Sequence, residues 1–241
     1  MALDFSKDLA NYADFGVATI GDLLVGATGW SMSFAIKVDS LDGGGLRDDS
    51  FYVWINDSTQ MISVRFNGNR LQCDFRPNVA ETTENQLGSA SINAADGNWH
   101  YQSFGFDVTN DLGANWTDGL GSEGANLFTA TSIATATPTT NRDAIGGRVD
   151  GSAPSATNRQ LDGQLAHVAL YDVYLNRGEL TALSNGYSPL LIRPKNLVFY
   201  LPLVNDLLDG RSRASTGLSI TGSVPFVAGP DFRPPTSPGV S

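Results

Sequence analysis

The stretch from Met61 to Phe75 constrains the fold more tightly than any other part of the chain. Two alternating segments, Met61 to Phe66 and Asn69 to Phe75, flank the pair Asn67-Gly68. A type I′ turn needs positive φ at both central residues, and Asn-Gly tolerates that best. The sequence therefore predicts a two-residue hairpin loop at Asn67-Gly68. Such a loop fixes the register. Val64 is expected to face Leu71 and Ile62 to face Cys73, all four on one side. Cys73 then reads as a small core residue rather than a reactive thiol. On the other side Arg65 falls opposite Arg70, and like charges so placed cost stability unless they splay into water, the preferred reading, or meet an anion.

Other segments repeat the two-residue period. Trp30, Met32, Phe34, Ile36 and Val38 alternate with Ser31, Ser33, Ala35 and Lys37, which predicts a half-buried strand. Leu41 to Asp49 is an acidic, glycine-bearing loop, followed by a strand from Phe51 to Ile55. Trp99 to Val108 is a further strand, with Phe104, Phe106 and Val108 alternating. The Thr/Ala tract Thr129 to Thr140 reads as an extended connection or weak strand. Gln164 to Leu175 is apolar on both faces, as suits a central strand covered on both sides. A single short helix is predicted near residues 177–184: Asn176 caps it, Glu179 stands three residues on, and Asn185-Gly186 ends it. Leu197 to Leu203 and Leu218 to Thr221 are late strands. Pro230, Pro234, Pro235 and Pro238 mark an extended tail without a core.

Composition narrows the function. Charged residues make up 17% of the 241-residue chain, and the net charge is −10. An acidic surface repels phosphate backbones, so nucleic acid is not an expected partner. One cysteine allows no internal disulfide, and two distant histidines exclude a Cys/His zinc cluster. No apolar stretch approaches the roughly 20 residues of a membrane helix. The first residues lack a signal-peptide pattern, so synthesis in the cytoplasm is expected.

Some ten or more short strands with one helix point to an antiparallel two-sheet jelly-roll sandwich. Three stretches give this a family resemblance: Trp30–Val38; Asp96-Gly-Asn-Trp-His100; and Ile145-Gly146-Gly147 with Leu161–Leu175 and the helix after it. Together they resemble the laminin-G-like, concanavalin-A-like superfamily. The resemblance implies that Trp99 packs between the sheets. It spans residues 1–186; residues 187–228 are expected to add strands that pack on or extend the sandwich, with 229–241 as the tail. Gly186–Pro194 and Leu197–Leu203 further resemble the tail of laminin-G-like proteins encoded among tailed-bacteriophage structural genes. That implies a virion-surface protein, either a capsid decoration protein or a tail or fibre component; the alternative is a free calcium-dependent carbohydrate-binding lectin module. Capsid or tail proteins, a second copy of the chain, or a cell-surface glycan would be its partners.

Glycosidases on this fold carry paired acids on one strand. This chain has four glutamates, Glu81, Glu84, Glu123 and Glu179. Glu179 belongs to the helix cap and none of the others is expected beside a second acid in a strand, so a non-enzymatic protein is expected. His100 and His167 read as packed histidines, and no G-x-S-x-G is present. For calcium, which the resemblance brings with it, the candidates are Asp42, Asp48 and Asp49 with Asp39, or Asp107, Asn110 and Asp111. The same residues are what turns require, and that reading is preferred. For a glycan, Trp116 in a polar loop is the candidate stacking platform, with Asn115 and Asp118 beside it. Tyr52 and Trp54 read as core.

Overall fold

The computed structural model describes residues 2–5, 12–17, 20–40, 49–54, 61–67, 70–76, 85–88, 96–125, 133, 142–147, 149–150, 153–154, 161–203, 219–221, 224–230 and 232. In chain order the strands are β1 (Ala2–Phe5), β2 (Tyr12–Val17), β3 (Gly29–Val38), β4 (Asp49–Trp54), β5 (Met61–Asn67), β6 (Arg70–Phe75), β7 (Asn85–Gly88), β8 (Trp99–Asp107) and β9 (Leu112–Thr117). They continue as β10 (Leu120–Ala125), β11 (Arg142–Ile145), β12 (Val149–Asp150), β13 (Ala153–Pro154), β14 (Gly163–Tyr171), β15 (Leu197–Leu201), β16 (Ser219–Thr221) and β17 (Phe226–Val227). The helix α1 spans Arg177–Ser184.

The strands form two antiparallel sheets. The first runs β10-β9-β8-β3-β14-β1-β17, and β15 joins it on β14. The second runs β13-β12-β11-β4-β5-β6-β7, with β2 pairing β11 and β16. Strands β15, β16 and β17 thus draw the described part of 187–228 into both sheets.

Apolar side chains from both sheets meet between them. Trp30 of β3 stacks on Phe106 of β8 with centroids 5.3 Å apart, and meets Phe75 of β6 edge-on at 5.4 Å. Aromatic pairs prefer such offset and edge contacts. Cys73 lies in this core, and burial pushes its thiol pKa well up, so it stays protonated as the expected small core residue.

Alternation along β5 and β6 holds as predicted, but the register does not. Asn67 pairs with Arg70, Phe66 with Leu71, Val64 with Cys73 and Ile62 with Phe75. The predicted loop residue Gly68 and its neighbour Asn69 lie outside the described residues, and the predicted loop residue Asn67 is itself paired in the strand. The reason is apolar pairing. The expected register sets Phe66 against Asn69 and Phe75 against Gln60, whereas the observed one gives both rings apolar partners. The change moves each partner by two positions, so no side chain changes face. It also removes the Arg65/Arg70 opposition: Arg65 lies opposite Gln72 and its Nε sits 2.6 Å from Asp74 Oδ2.

Strand β3 is buried on both faces apart from Lys37, not half-buried. Its outward positions, Ser31, Ser33 and Ala35, are small, as are Ser103 and Gly105 on β8 and Ala166 and Ala169 on β14. Small residues let a second layer settle onto the sheet. That layer is α1, whose Leu180 and Leu183 pack with Ala114, Trp116, Ala169, Tyr171 and Leu197. Ser103 Oγ donates to Leu180 O at 2.8 Å, and Leu175 N donates to Ser31 Oγ at 2.8 Å. The helix itself is closed as its sequence demands. Asn176 Oδ1 accepts from Glu179 N, and Glu179 Oε2 accepts from Asn176 N. Strand β14 is the central strand expected from its two apolar faces. Of the tract 129–140, Ile133 alone is described; it is buried in the core.

Candidate functional site

Trp116 is not an exposed platform. It sits in β9, 3% exposed, beneath the second layer. Its ring lies across Gly121 on β10, where a Cβ would meet ring carbons at 2.6 Å. Arg177 of α1 approaches the ring, its Cζ 6.0 Å from the centroid. Asn115 points to the opposite face and is also 3% exposed; its Oδ1 accepts from Gln102 Nε2 at 2.5 Å. The segment read as a polar loop is instead a hairpin. Asp118 (φ 50°) and Gly119 (φ 78°) form its two-residue turn between Thr117 and Leu120. Asp-Gly is a strong type I′ signal, and this one was available in the sequence.

Asp118 has a structural partner. Its Oδ2 lies 2.7 Å from His100 Nδ1, and Asp96 Oδ1 lies 3.1 Å from His100 Nε2. The hydrogen bond to Asp118 raises the His100 pKa most, and Asp96 adds to it against the opposing effect of burial. Asp96 is held down at about 2, first by Asn98 and then by His100. The two carboxylates thus brace the start of β8 to the β9–β10 turn through one histidine.

The calcium candidates divide. Asp42 and Asp48 lie outside the described residues, and Asp49 opens β4 opposite Arg65. Asp107 accepts from Asn110 N at 3.0 Å through Oδ1 and from Asn110 Nδ2 at 2.8 Å through Oδ2. Asp111 takes a positive φ of 58° in the same turn. Both Asp107 oxygens thus accept bonds that close the turn, as a turn residue does. Among the described residues no group of three His, Cys, Asp or Glu side chains could hold a metal. Of the glutamates, Glu179 caps α1 and also accepts from Arg193 Nε at 2.6 Å. Glu123 falls on β10 opposite Ala114 and accepts the Tyr174 hydroxyl at 3.2 Å. Glu81 and Glu84 lie outside the described residues.

The outer face of the first sheet carries a feature the sequence reading missed. Phe104 and Phe106 point into the core, so alternation sends Tyr101 and Trp99 outward. Trp99 therefore does not pack between the sheets; it and Tyr101 are partly buried against Ala35 and Ala166. Beside them lies a shallow cleft that encloses about 10 Å³ and is otherwise open to solvent. Ser33 and Ala35 of β3 lie beneath it, and Tyr101, Tyr187, Phe232 and His167 line it. Tyr101 and His167 stand on strands either side of β3, about 10 Å apart at two strand spacings.

Each wall is held by an identifiable local device. Helix α1 ends in a Schellman motif: Gly186 N donates to Leu183 O at 2.9 Å and Tyr187 N to Ala182 O at 3.2 Å. Gly186 takes φ 81°, and a Cβ there would meet the Tyr101 ring at 2.9 Å. Glycine is thus needed twice over, and the motif delivers Tyr187 beside Tyr101. Pro189 is fixed by the Tyr171 hydroxyl, which donates to its carbonyl at 3.0 Å. His167 occupies a bulge between Ala166 and Ala169 with φ 57°. A non-glycine residue there stores about 1–3 kcal/mol of strain, the kind of cost that collects at working surfaces. Its Nε2 lies 3.3 Å from Pro230 O and its Nδ1 3.1 Å from the Tyr200 hydroxyl. A carbonyl only accepts, so Nε2 carries a proton and donates to it. Phe232 packs on the same ring at 3.8 Å between centroids.

The outer face of the second sheet differs. Ser63, Arg65, Gln72 and Asp74 project there and all are buried. Gln72 Nε2 donates to Asp74 Oδ1 at 2.7 Å beside the Arg65–Asp74 ion pair. Tyr52 is in register with Ser63 and Trp54 with Met61 across β4 and β5; their side chains lie outside the described residues.

No protein-family model matches the chain, and no curated protein matches it. Solved structures do. The LG4-5 domains of the mouse laminin α1 chain superpose with a TM-score of 0.52 at 12% identity, covering 73% of this chain and 43% of that one. The CBM40 of an IT-sialidase from Ruminococcus gnavus gives 0.57 at 12% identity, covering 76% and 96%. That module is also known bound to α2,3- and α2,6-sialyllactose. A candidate carbohydrate-binding protein from Bacteroides ovatus gives 0.59 at 14% identity, covering 92% of this chain and 57% of that one. The fold is the laminin-G-like, concanavalin-A-like jelly roll. At these identities the likeness concerns the fold alone.

Proposed function

We propose that this chain is a non-catalytic, glycan-binding jelly roll whose site is the cleft bounded by Tyr101, Tyr187 and Phe232. The observation that carries this reading is the cleft's lining. Three aromatic side chains stand over a floor of Ser33 and Ala35. A sugar ring offers C–H faces that stack on aromatics and hydroxyls that seek polar tips, which tyrosine provides. The sialyllactose complexes of the R. gnavus module and the description of the B. ovatus protein lend support. The test is a glycan array followed by calorimetric titration of the best ligand. Wild type should bind and Tyr187→Ala should lose at least tenfold in affinity with its melting temperature unchanged. Absence of binding to every glycan rejects the reading.

A second reading concerns where the module works. Gly186–Pro194 and Leu197–Leu203, which resemble the tail of phage-encoded laminin-G-like proteins, supply a 3-10 turn at Pro189–Leu191, cleft-wall residues and β15. The resemblance is what supports a virion-surface role as a capsid decoration, tail or fibre protein, alone or as a homo-oligomer. Co-sedimentation with particles in fixed stoichiometry to the capsid or tail protein is the expected result. A free monomer in every particle preparation contradicts it.

A further inference from the structure

We infer that strand β10 is an interface through which two copies of this chain join their first sheets across a two-fold axis. The inference stands apart from the glycan cleft. Strand β10 ends the first sheet, and it is the longer of the two ends: Leu120–Ala125 spans six residues, whereas β17 at the other end spans two. Its pairing with β9 runs without a bulge from Leu120 to Ala125. Asp118 N donates to Tyr101 O at 3.0 Å, so positions 116 and 118 bond back towards β8 while Asn115 and Thr117 bond to β10. Leu120, Ser122 and Gly124 thus use their backbone groups on β9, and those of Gly121 and Glu123 point to the free side. Gly121, Ser122 and Glu123 are all exposed. Such an edge is a template for another strand unless proline, lysine or a bulge blunts it, and β10 carries none of these.

The strand is complementary to itself. Opposed residues of a continuous sheet share a face, so the register between two copies shifts only in steps of two. An axis through Ser122 sets Leu120 opposite Gly124 of the second copy and Gly121 opposite its Glu123. Size favours this register. Leu120 is 69% exposed, the most of any large apolar side chain among the described residues. Gly124 has nothing within 4 Å of the place a Cβ would take, so the leucine of one copy fills the open space at the glycine of the other. Charge favours it too. The Trp116 ring lies across Gly121, and the exposed Arg177 stands with its Cζ 6.0 Å from that ring's centroid. Glu123 shares the outer face with Tyr174, whose hydroxyl it accepts. Placed opposite Gly121, Glu123 of the second copy comes beside the Arg177 guanidinium. The two-fold axis makes the relation reciprocal, with two Arg177–Glu123 pairs in the dimer. At the axis Ser122 meets Ser122. The next register instead sets Glu123 against Glu123, which like charges disfavour. One strand edge and two ion pairs make an interface below the size of stable complexes, so the dimer is a weak one.

The experiment is sedimentation equilibrium of the full chain from about 5 to 500 µM, a span that reaches weak interfaces. The expected result is a monomer–dimer equilibrium. Gly124→Val puts a strand-forming residue into space that is open within its own chain. It should leave the melting temperature of dilute protein unchanged and weaken the dimer roughly tenfold or more. Glu123→Arg and Arg177→Glu should each weaken it about fivefold or more, and the double variant should regain most of that loss. Monomer at every concentration overturns the inference, as does a trimer, which a two-fold edge cannot close. A dimer unmoved by Gly124→Val and by both charge reversals is joined elsewhere and overturns it as well. If the Gly124→Val chain fails to fold, the charge pair decides: rescue in the double variant supports the interface, and reversals that weaken the dimer without rescue overturn it.

Discussion

Trp99 and Trp116 exchange the roles their sequences suggest. Trp99 stands in a motif that implies a core residue, yet it lies on the outer face of the first sheet, partly buried against Ala35 and Ala166. Trp116 stands among Asn, Thr, Asp and Gly, yet it is 3% exposed beneath α1. Neighbouring composition therefore says less about a residue's environment than two backbone facts do. One is parity. Once Phe104 and Phe106 face the core, Trp99 and Tyr101 must face away from it. The other is the turn. Asp118-Gly119 closes a hairpin and makes Trp116 a strand residue that reaches under the helix.

The largest effect should separate the two indoles. Trp116→Ala should cost about 3–5 kcal/mol, the usual range for emptying a buried aromatic site. Trp99→Ala should cost about 1–2 kcal/mol, because part of its surface already meets water. Urea denaturation of both variants measures the difference, and equal losses would contradict the assignment of faces. Next in size is Gly186→Ala. It places a Cβ at positive φ and against the Tyr101 ring, so we predict a loss above about 1 kcal/mol together with weakened glycan binding. A stability loss with unaltered binding would detach the helix end from the cleft.

The smallest effect concerns His100, next to Trp99 in sequence but facing the other way. Its pKa is raised in the folded state by Asp118 and Asp96. The stabilisation is therefore complete below the unfolded histidine value near ~6.5, and fades as pH rises through the higher folded value. Both carboxylates are about one-third exposed, so the contribution should not exceed about 1 kcal/mol. Asp96 behaves oppositely. Depressed to about 2, it contributes above its unfolded value near ~3.9 and is lost as pH falls toward 2. His100→Gln should remove the alkaline fall in stability that wild type shows; an identical pH profile would deny the brace.

Much of the architecture was legible where one short segment decides its own structure. Asn176 and Glu179 announce the capping box, and Asn185-Gly186 announces the helix end. Ile62, Val64, Leu71 and Cys73 lie on the face their alternation assigns, and β14 is central as its two apolar sides require. The hairpin register was not legible from Asn67-Gly68, because pairing Phe66 with Leu71 and Ile62 with Phe75 outweighs the turn preference. The candidate site was the least legible part. Its residues come from β3, β8, the bulge in β14, the segment after α1 and the C-terminal segment. Nothing local marks His167 as a bulge or Phe232 as its partner. Two signals were present all the same: the Asp118-Gly119 turn, which argues against Trp116 as a platform, and the parity of β8, which turns Tyr101 outward.

The two outer faces make opposite demands on a ligand. The first sheet offers the aromatic cleft, whereas the second carries a buried polar row, Ser63, Arg65, Gln72 and Asp74. Backbone amide shifts followed by heteronuclear NMR during titration with the best glycan from the array should report which face works. Perturbations should gather at Ser33, Ala35, Tyr101, Tyr187 and Phe232. Perturbations gathered instead at Ser63, Arg65, Gln72 and Asp74, with the Tyr101 and Tyr187 amides unmoved, would contradict it.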